Sequence, residues 1–300
     1  MTQATARAPD AEPPPKMGAT EAEQFRTIAE IAHRDAGLVL PQDKAPMVLA
    51  RIAKRMRSLG MRDLAQYCKL LADPDAAAER HELIFVLTTN VTSFMREAHH
   101  FETLREQLLP DLVETARKGG KVRLWSAGCS SGQEPYSLAM ILLDLMPDAA
   151  RHDVRILATD IDPYVLRTAR EGVYSDSQID SLPGNRRAQH FHASPLGHSA
   201  SPALRDLISF RELNLIGSWP MRGTFDVIFC RNVVIYFDRE TQSRLWSRLH
   251  AALSPGGHLF LGHSERIDAR HAELFTTVGT TTYRKSERTA KPQKGPAQWP

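Results

Sequence analysis

At Lys121 the sequence changes texture, and that change limits the fold more than any other feature. From Glu21 to about Gly119 apolar residues recur at three-to-four spacing: Phe25, Ile28, Ile31 and Ala32, then Val48, Ile52 and Met56, then Leu64, Tyr67, Leu70 and Leu71. Such spacing predicts amphipathic helices. Asp43 is placed to cap the second helix, Pro46 is tolerated in its first turn, and Gly60 ends it. Beyond Lys121 short apolar runs alternate with helical stretches: Val122 to Ser126, a helix through Tyr136 to Leu145, Val154 to Thr159, Pro163 to Arg170, Phe225 to Cys230, Arg239 to Leu253, and Gly257 to Gly262 after the turn Ser254-Pro255-Gly256-Gly257. Alternation of this kind predicts an α/β, doubly wound, Rossmann-like parallel sheet that binds ligand at the carboxyl ends of its strands. The stretch from about 172 to 209 breaks the rhythm with Pro183, Gly184, Pro195, Gly197 and Pro202, and reads as an insertion. Residues 1–18 and 287–300, rich in proline and polar groups, are expected to be disordered, leaving an all-helical N-terminal domain over 19–95 and the α/β domain over 96–286.

The sheet edge carries the candidate chemistry. Ser126-Ala127-Gly128-Cys129-Ser130-Ser131-Gly132 follows the first strand, where small residues let backbone approach a ligand or simply make a tight strand-to-helix turn. It lacks the GxGxxG pattern, and no GxxxxGK[ST] occurs, which removes the P-loop reading. The second strand ends in Asp160-Ile161-Asp162. Asp160 can accept bonds from both hydroxyls of a ribose, while Asp162 before Pro163 fits a helix cap better. After the third strand come Arg231, Asn232 and Tyr236, polar groups concentrated where a ligand would lie.

Composition excludes several classes. With 38 basic and 35 acidic residues the net charge is +3, too balanced to imply general polyanion binding. Cys68, Cys129 and Cys230 lack ligand spacing, which argues against zinc and against a disulfide framework, and suits a reducing cytoplasm. No apolar run approaches the roughly 20 residues a membrane span needs, and the N-terminus carries no secretion signal, so no membrane insertion is expected.

Five segments in order carry a resemblance: Thr88-Thr89-Asn90-Val91-Thr92-Ser93-Phe94-Met95-Arg96-Glu97, Trp125 to Ser137, Ala158 to Asp162, Cys230 to Phe237, and Gly262-His263-Ser264-Glu265. From about Phe25 to Arg284 the chain resembles the CheR-type chemotaxis-receptor methyltransferases. That resemblance implies a helical domain packed on an S-adenosylmethionine-dependent methyltransferase domain, with a small antiparallel β-subdomain inserted. It also implies cofactor contacts from Asn90, Thr92, Arg96, Gly128, Glu134, Asp160, Asn214, Leu215, Arg231 and Asn232. Glu134 would meet the methionyl amino group, Asp160 the ribose, Asn214 and Leu215 the adenine, and Arg96 the methionine end. Gly128-Cys129 and Gln133 depart modestly from the family pattern.

The implied reaction esterifies glutamate carboxylates on methyl-accepting receptor cytoplasmic domains, leaving S-adenosylhomocysteine. A carboxylate of ordinary pKa, about 4.3, is already ionised at neutral pH, so no general base is needed. Arg231 and Tyr236, with Arg96 beside them, are the candidate catalytic residues, and His263 reads as structural. On the second helix Lys44, Arg51, Lys54 and Arg55 share a basic face opposite the apolar one. A solvated surface explains such a face equally well, but in the family it engages the acidic methylation region of receptors. The segment from His192 to Ala203 lacks the glycine-rich turn of members tethered by a receptor tail. A monomer is expected. Nucleic-acid or small-molecule methyltransferases, and a non-catalytic module, share the cofactor fold; the charge balance and the missing Asn/Asp-Pro-Pro-Tyr/Phe loop oppose nucleic acid.

Overall fold

The computed structural model describes residues 18–286, so the disorder expected of 1–18 and 287–300 lies outside the described residues, Gly18 apart. Four helices come first: α1 (Ala19–Ala36), α2 (Ala45–Ser58), α3 (Leu64–Ala72) and α4 (Ala77–Leu87). Their buried residues follow the apolar spacing, with Phe25, Ile28 and Ile31 on α1 and Val48, Ile52 and Met56 on α2. Asp43 does not cap α2. The cap position is Lys44, and a single turn over Gln42–Lys44, closed by the Lys44 amide on the Pro41 carbonyl, feeds the helix instead. Gly60, at φ +71°, ends it in the left-handed region that glycine enters without strain.

Helices α5 (Ala98–Thr103) and α6 (Leu109–Arg117), joined by a wide turn, lead into the sheet. The strands are β1 (Val122–Ala127), β2 (Val154–Asp160), β3 (Val173–Tyr174), β4 (Phe191–Ser194), β5 (Gly197–Ala200), β6 (Ile208–Glu212), β7 (Phe225–Cys230), β8 (Leu253–Leu261), β9 (Phe275–Gly279) and β10 (Thr282–Lys285). Between them run α7 (Gln133–Leu145), α8 (Pro163–Glu171), the short α9 (Asp176–Ile179), α10 (Gly184–His190) and α11 (Pro202–Arg205), and α12 (Arg239–Ala252). The main sheet has the order β6-β2-β1-β7-β8-β10-β9, parallel as far as β8 and closed by the antiparallel β10 and β9. A three-stranded antiparallel sheet, β3-β5-β4, occupies the region read as an insertion.

Chain order reverses at β1, which lies between β2 and β7, so the carboxyl ends of these three strands open the crevice where ligands bind in such sheets. One face of the sheet packs on α5 to α8. The other shares a core with the helical bundle, in which Trp125, Ile228 and Trp246 join Ile28, Ile52 and Leu87. The bundle is also stitched to the loop after β7: Leu38 bridges Phe237, and the Val39 amide donates to the Tyr236 carbonyl at 2.8 Å.

Candidate active site

Four strand ends, those of β1, β2, β6 and β7, together with the helical bundle and the segment joining it to the sheet, enclose a cavity of about 270 Å³. The turn after β1 folds over the end of β2, because the amides of Gly128 and Cys129 both donate to the Thr159 carbonyl, at 2.8 and 2.9 Å. Gly128 sits at φ +84°, and a Cβ there would lie 2.3 Å from Val233 Cγ2, so this position requires glycine. Ser130 follows at φ +49°; its amide donates to Asp160 Oδ2 at 2.8 Å and its hydroxyl to the Asn90 carbonyl at 2.9 Å.

Asp160 and Asp162 divide their work. Asp162 caps α8, accepting from the Tyr164 and Val165 amides, and takes the Asn90 side-chain amide at 2.9 Å. Asp160 is nearly buried at the cavity wall and also accepts the Asp162 amide at 3.0 Å. Burial pushes its carboxyl up to about 6, even though the amides that bind it pull the other way.

At the floor, Glu134 in the first turn of α7 accepts from Ser126 Oγ at 2.7 Å and from Arg231 Nη1 at 3.1 Å. Burial raises its pKa, and Arg231 opposes the rise. The Arg231 guanidinium also pairs with Glu97 Oε2 at 3.2 Å and donates to the Arg96 carbonyl. Its side chain is 2% exposed and lies beside the Phe101 and Phe229 rings. Burial alone would raise the Glu97 carboxyl, but Arg231 and the bonds from His263 bring it down to about 2.

Glu265, just beyond β8, orders the opposite loop. One oxygen accepts the Asn232 and Gly262 amides at 2.8 and 2.6 Å, the other those of Val234 and Ile235 at 2.8 and 3.3 Å. Among the described residues five non-glycine positions have positive φ, and four of them, Met95, Glu97, Ser130 and Asn232, lie in or beside this site. Strain concentrated in this way is expected where a binding geometry is imposed on the backbone.

Family models match both parts of the chain: the CheR methyltransferase all-alpha domain over residues 23–88 and the CheR methyltransferase SAM binding domain over 90–284. The chain belongs to the CheR methyltransferase family. It is 47% identical over 256 residues to a probable chemotaxis protein methyltransferase of Rhizobium etli, covering 84% of this chain and 96% of that protein. It is 38% identical over 269 residues to the chemotaxis protein methyltransferase of Escherichia coli, covering 88% and 91%. A likeness of 38% over 288 residues links it to chemotaxis protein methyltransferase 2 of Pseudomonas aeruginosa, covering 92% and 99%.

S-adenosylmethionine is the cofactor of this family's domain, and the cavity suits it. Two carboxylates, Glu134 and Asp160, stand beside an apolar wall of Ile161, Leu213 and Leu215, and the glycine at 128 keeps the turn low. All of the residues expected around the cofactor and the methyl group line this one cavity: Asn90, Thr92, Arg96, Gly128, Glu134, Asp160, Asn214, Leu215, Arg231, Asn232 and Tyr236. Asn214 also reaches back to the bundle, donating to the Asp35 carbonyl at 2.8 Å.

Two expectations change. Arg231 is not free to meet an incoming carboxylate, because a buried guanidinium needs its charge compensated and this one is committed to Glu134 and Glu97. Nor is the basic face of α2 uniformly open: Lys44 and Lys54 are exposed, but Arg51 donates to carbonyls at the end of α4, and Arg55 pairs with Glu79 at 2.6 Å and Glu82 at 3.4 Å. Glu97, Ser126 and Glu265 hold the site together without any role that the motifs imply. The available signal for Glu265 was a carboxylate placed just after an apolar strand. Glu97, His99 and His100 come within metal-ligand distance of one another, but the Glu97 carboxylate already faces the Arg231 cation.

Proposed function

We propose that this chain transfers the methyl group of S-adenosylmethionine to glutamate side chains of chemotaxis-type receptor cytoplasmic domains, forming glutamyl methyl esters for sensory adaptation. The observation that carries this reading is the cavity lining, which among the described residues includes no histidine, lysine or cysteine and whose two carboxylates both already accept hydrogen bonds. An amine or hydroxyl acceptor would need a base to take its proton, whereas a carboxylate arrives ionised. The names of the relatives support the same pathway.

S-adenosylmethionine, when bound, supplies an electrophilic sulfonium methyl. Glu134 would hold the methionyl ammonium, Asp160 the ribose hydroxyls, and Asn214 and Leu215 the adenine. Arg231 fixes Glu134 and Glu97 rather than the acceptor. Arg96, which spends one bond on the Val91 carbonyl, and Tyr236 are the groups left at the cavity to align the incoming carboxylate. Catalysis then rests on alignment and fixed charge. The protein is proposed to act as a cytoplasmic monomer; among the described residues no helix is long and apolar enough to cross a membrane.

The test is to incubate the protein with methyl-labelled S-adenosylmethionine and receptor cytoplasmic domains, then treat the product with alkali. Release of the label as methanol is expected. Alkali-stable label on lysine, arginine or nucleic acid would overturn the assignment.

A further inference from the structure

The segment from Thr88 to Ser93 forms one wall of the cofactor cavity, yet it has no regular secondary structure and none of its residues is buried. Val91 is 77% exposed. Packing therefore does not hold this wall, and polar bonds must. On the sheet side they come from Asn90, whose side-chain amide donates to Asp162 and whose carbonyl accepts from the Ser130 hydroxyl, both at 2.9 Å. On the bundle side Thr88 is tied to α4 by its amide on the Ile84 carbonyl at 3.0 Å and its hydroxyl on the Phe85 carbonyl at 2.9 Å, and Arg51 adds the bonds that tie this end to α2. Its Nη1 donates to the Leu87 carbonyl at 3.1 Å and the Thr88 carbonyl at 3.0 Å, with Val86 at 3.5 Å, and its Nη2 donates to Thr89 Oγ1 at 3.2 Å.

We propose that Arg51 is a positioning residue of the cofactor cleft, clamping the Thr88–Ser93 wall to α2. The last carbonyls of a helix have no partner within it, and here α4 ends at Leu87 where the cavity wall begins. A cation at that end is favoured by the helix dipole, and a planar guanidinium can bridge several oxygens that a lysine ammonium would reach singly. Charge and fork geometry are thus both used. Lys54, on the same side of α2, is exposed and makes no such contact. The bundle consequently contributes to cofactor affinity through a residue that never touches the cofactor. This inference rests on the cofactor and not on the identity of the methyl acceptor.

The test uses the full chain and calorimetry with S-adenosylhomocysteine, beside thermal unfolding without ligand. Arg51→Ala should weaken binding about tenfold, the scale of losing charge-assisted hydrogen bonds, and Arg51→Lys should recover part of it. Lys54→Ala should bind as the parent does. In turnover with S-adenosylmethionine the KM should rise while kcat at saturating cofactor stays within about twofold, because the wall is restored once the cofactor is bound. Parental affinity in Arg51→Ala, with only the melting temperature or the KM for the methyl acceptor altered, overturns the proposal and returns Arg51 to a structural or docking role. If Arg51→Ala does not fold, Arg51→Lys decides by the same calorimetry: weakened binding supports the clamp and parental binding removes it.

Discussion

The two domains that meet at the cleft hold their charges in opposite ways. On the sheet side Glu134, Asp160, Glu265 and Arg231 are enclosed, and every one of them is bonded to a backbone group, a neighbouring side chain or both. On the bundle side Arg51 and Arg55 are half-buried, and Lys44 and Lys54 stand in solvent. An enclosed charge is costly to leave alone, whereas water screens an exposed one, so equal changes of charge should have very unequal effects in the two domains.

The largest effect is expected at Arg231. Replacing it with alanine strands Glu97 and Glu134 together in an enclosed site, and breaking such a buried arrangement costs about 3–5 kcal/mol. Methylation should fall about a hundredfold, the scale on which misplacing the groups that position a reacting centre acts. Arg231→Lys keeps the charge but cannot span both carboxylates, and should keep more stability than activity. Denaturant unfolding of both variants checks this, and an Arg231→Ala protein as stable as the parent would end the contrast between the two domains.

Asp160 gives a smaller effect, with a direction set by pH. Its carboxyl is raised to about 6, so below that pH it takes up a proton and loses its value as an acceptor for ribose hydroxyls. Affinity for S-adenosylhomocysteine should be nearly flat above pH 7 and about tenfold weaker at pH 5, as simple titration of one group requires. Stability runs the other way. Because the folded value lies above the unfolded value of about 3.9, the contribution of Asp160 to stability is present at low pH and lost as pH rises toward 6. Calorimetry across this range should also show Asp160→Ala binding weakly with little pH dependence. A parental pH profile in that variant would place the titration elsewhere.

How far the sequence could be read follows the same division. Strand β7 falls on Phe225–Cys230 as expected, since a strand buried on both faces is a continuous apolar run with polar ends. Strand β6 has no signal of its own, only Ile208 and Ser209 falling inside the expected insertion, because Ile-Ser-Phe-Arg-Glu alternates as an edge strand does and follows irregular chain. The threonine-rich β9 and β10 carried no apolar run and were not anticipated. Asp160 and Asp162 could be told apart because a cap has a fixed place before Pro163. Periodicity placed Arg51 and Arg55 on the correct side of α2 but could not name their partners, since helix-end carbonyls leave no mark in the sequence and Glu79 and Glu82 lie on another helix. The orientation of Arg231 was hidden for the same reason, its partners being set by tertiary packing.

The smallest effect should come from the two lysines that remain open. Lys44, at the cap of α2, and Lys54, on it, are exposed, and neither borders the cofactor cavity. If this face docks an acidic receptor helix, the lysines act mainly on encounter, and salt screens them over about 8 Å near physiological ionic strength. The Lys44→Ala, Lys54→Ala double variant should therefore keep its melting temperature and its affinity for S-adenosylhomocysteine. Receptor methylation at low salt should fall a few-fold, about the size expected of a small number of rim charges, and its residual rate should respond less to added salt than the parental rate. Arg55 does not belong in this test, because removing it would leave Glu79 and Glu82 without a cation, bonded only to the Tyr67 and Tyr164 hydroxyls, and disturb the bundle itself. Parental methylation with parental salt dependence in the double variant would show that these lysines only solvate the helix, and that receptor docking uses another surface.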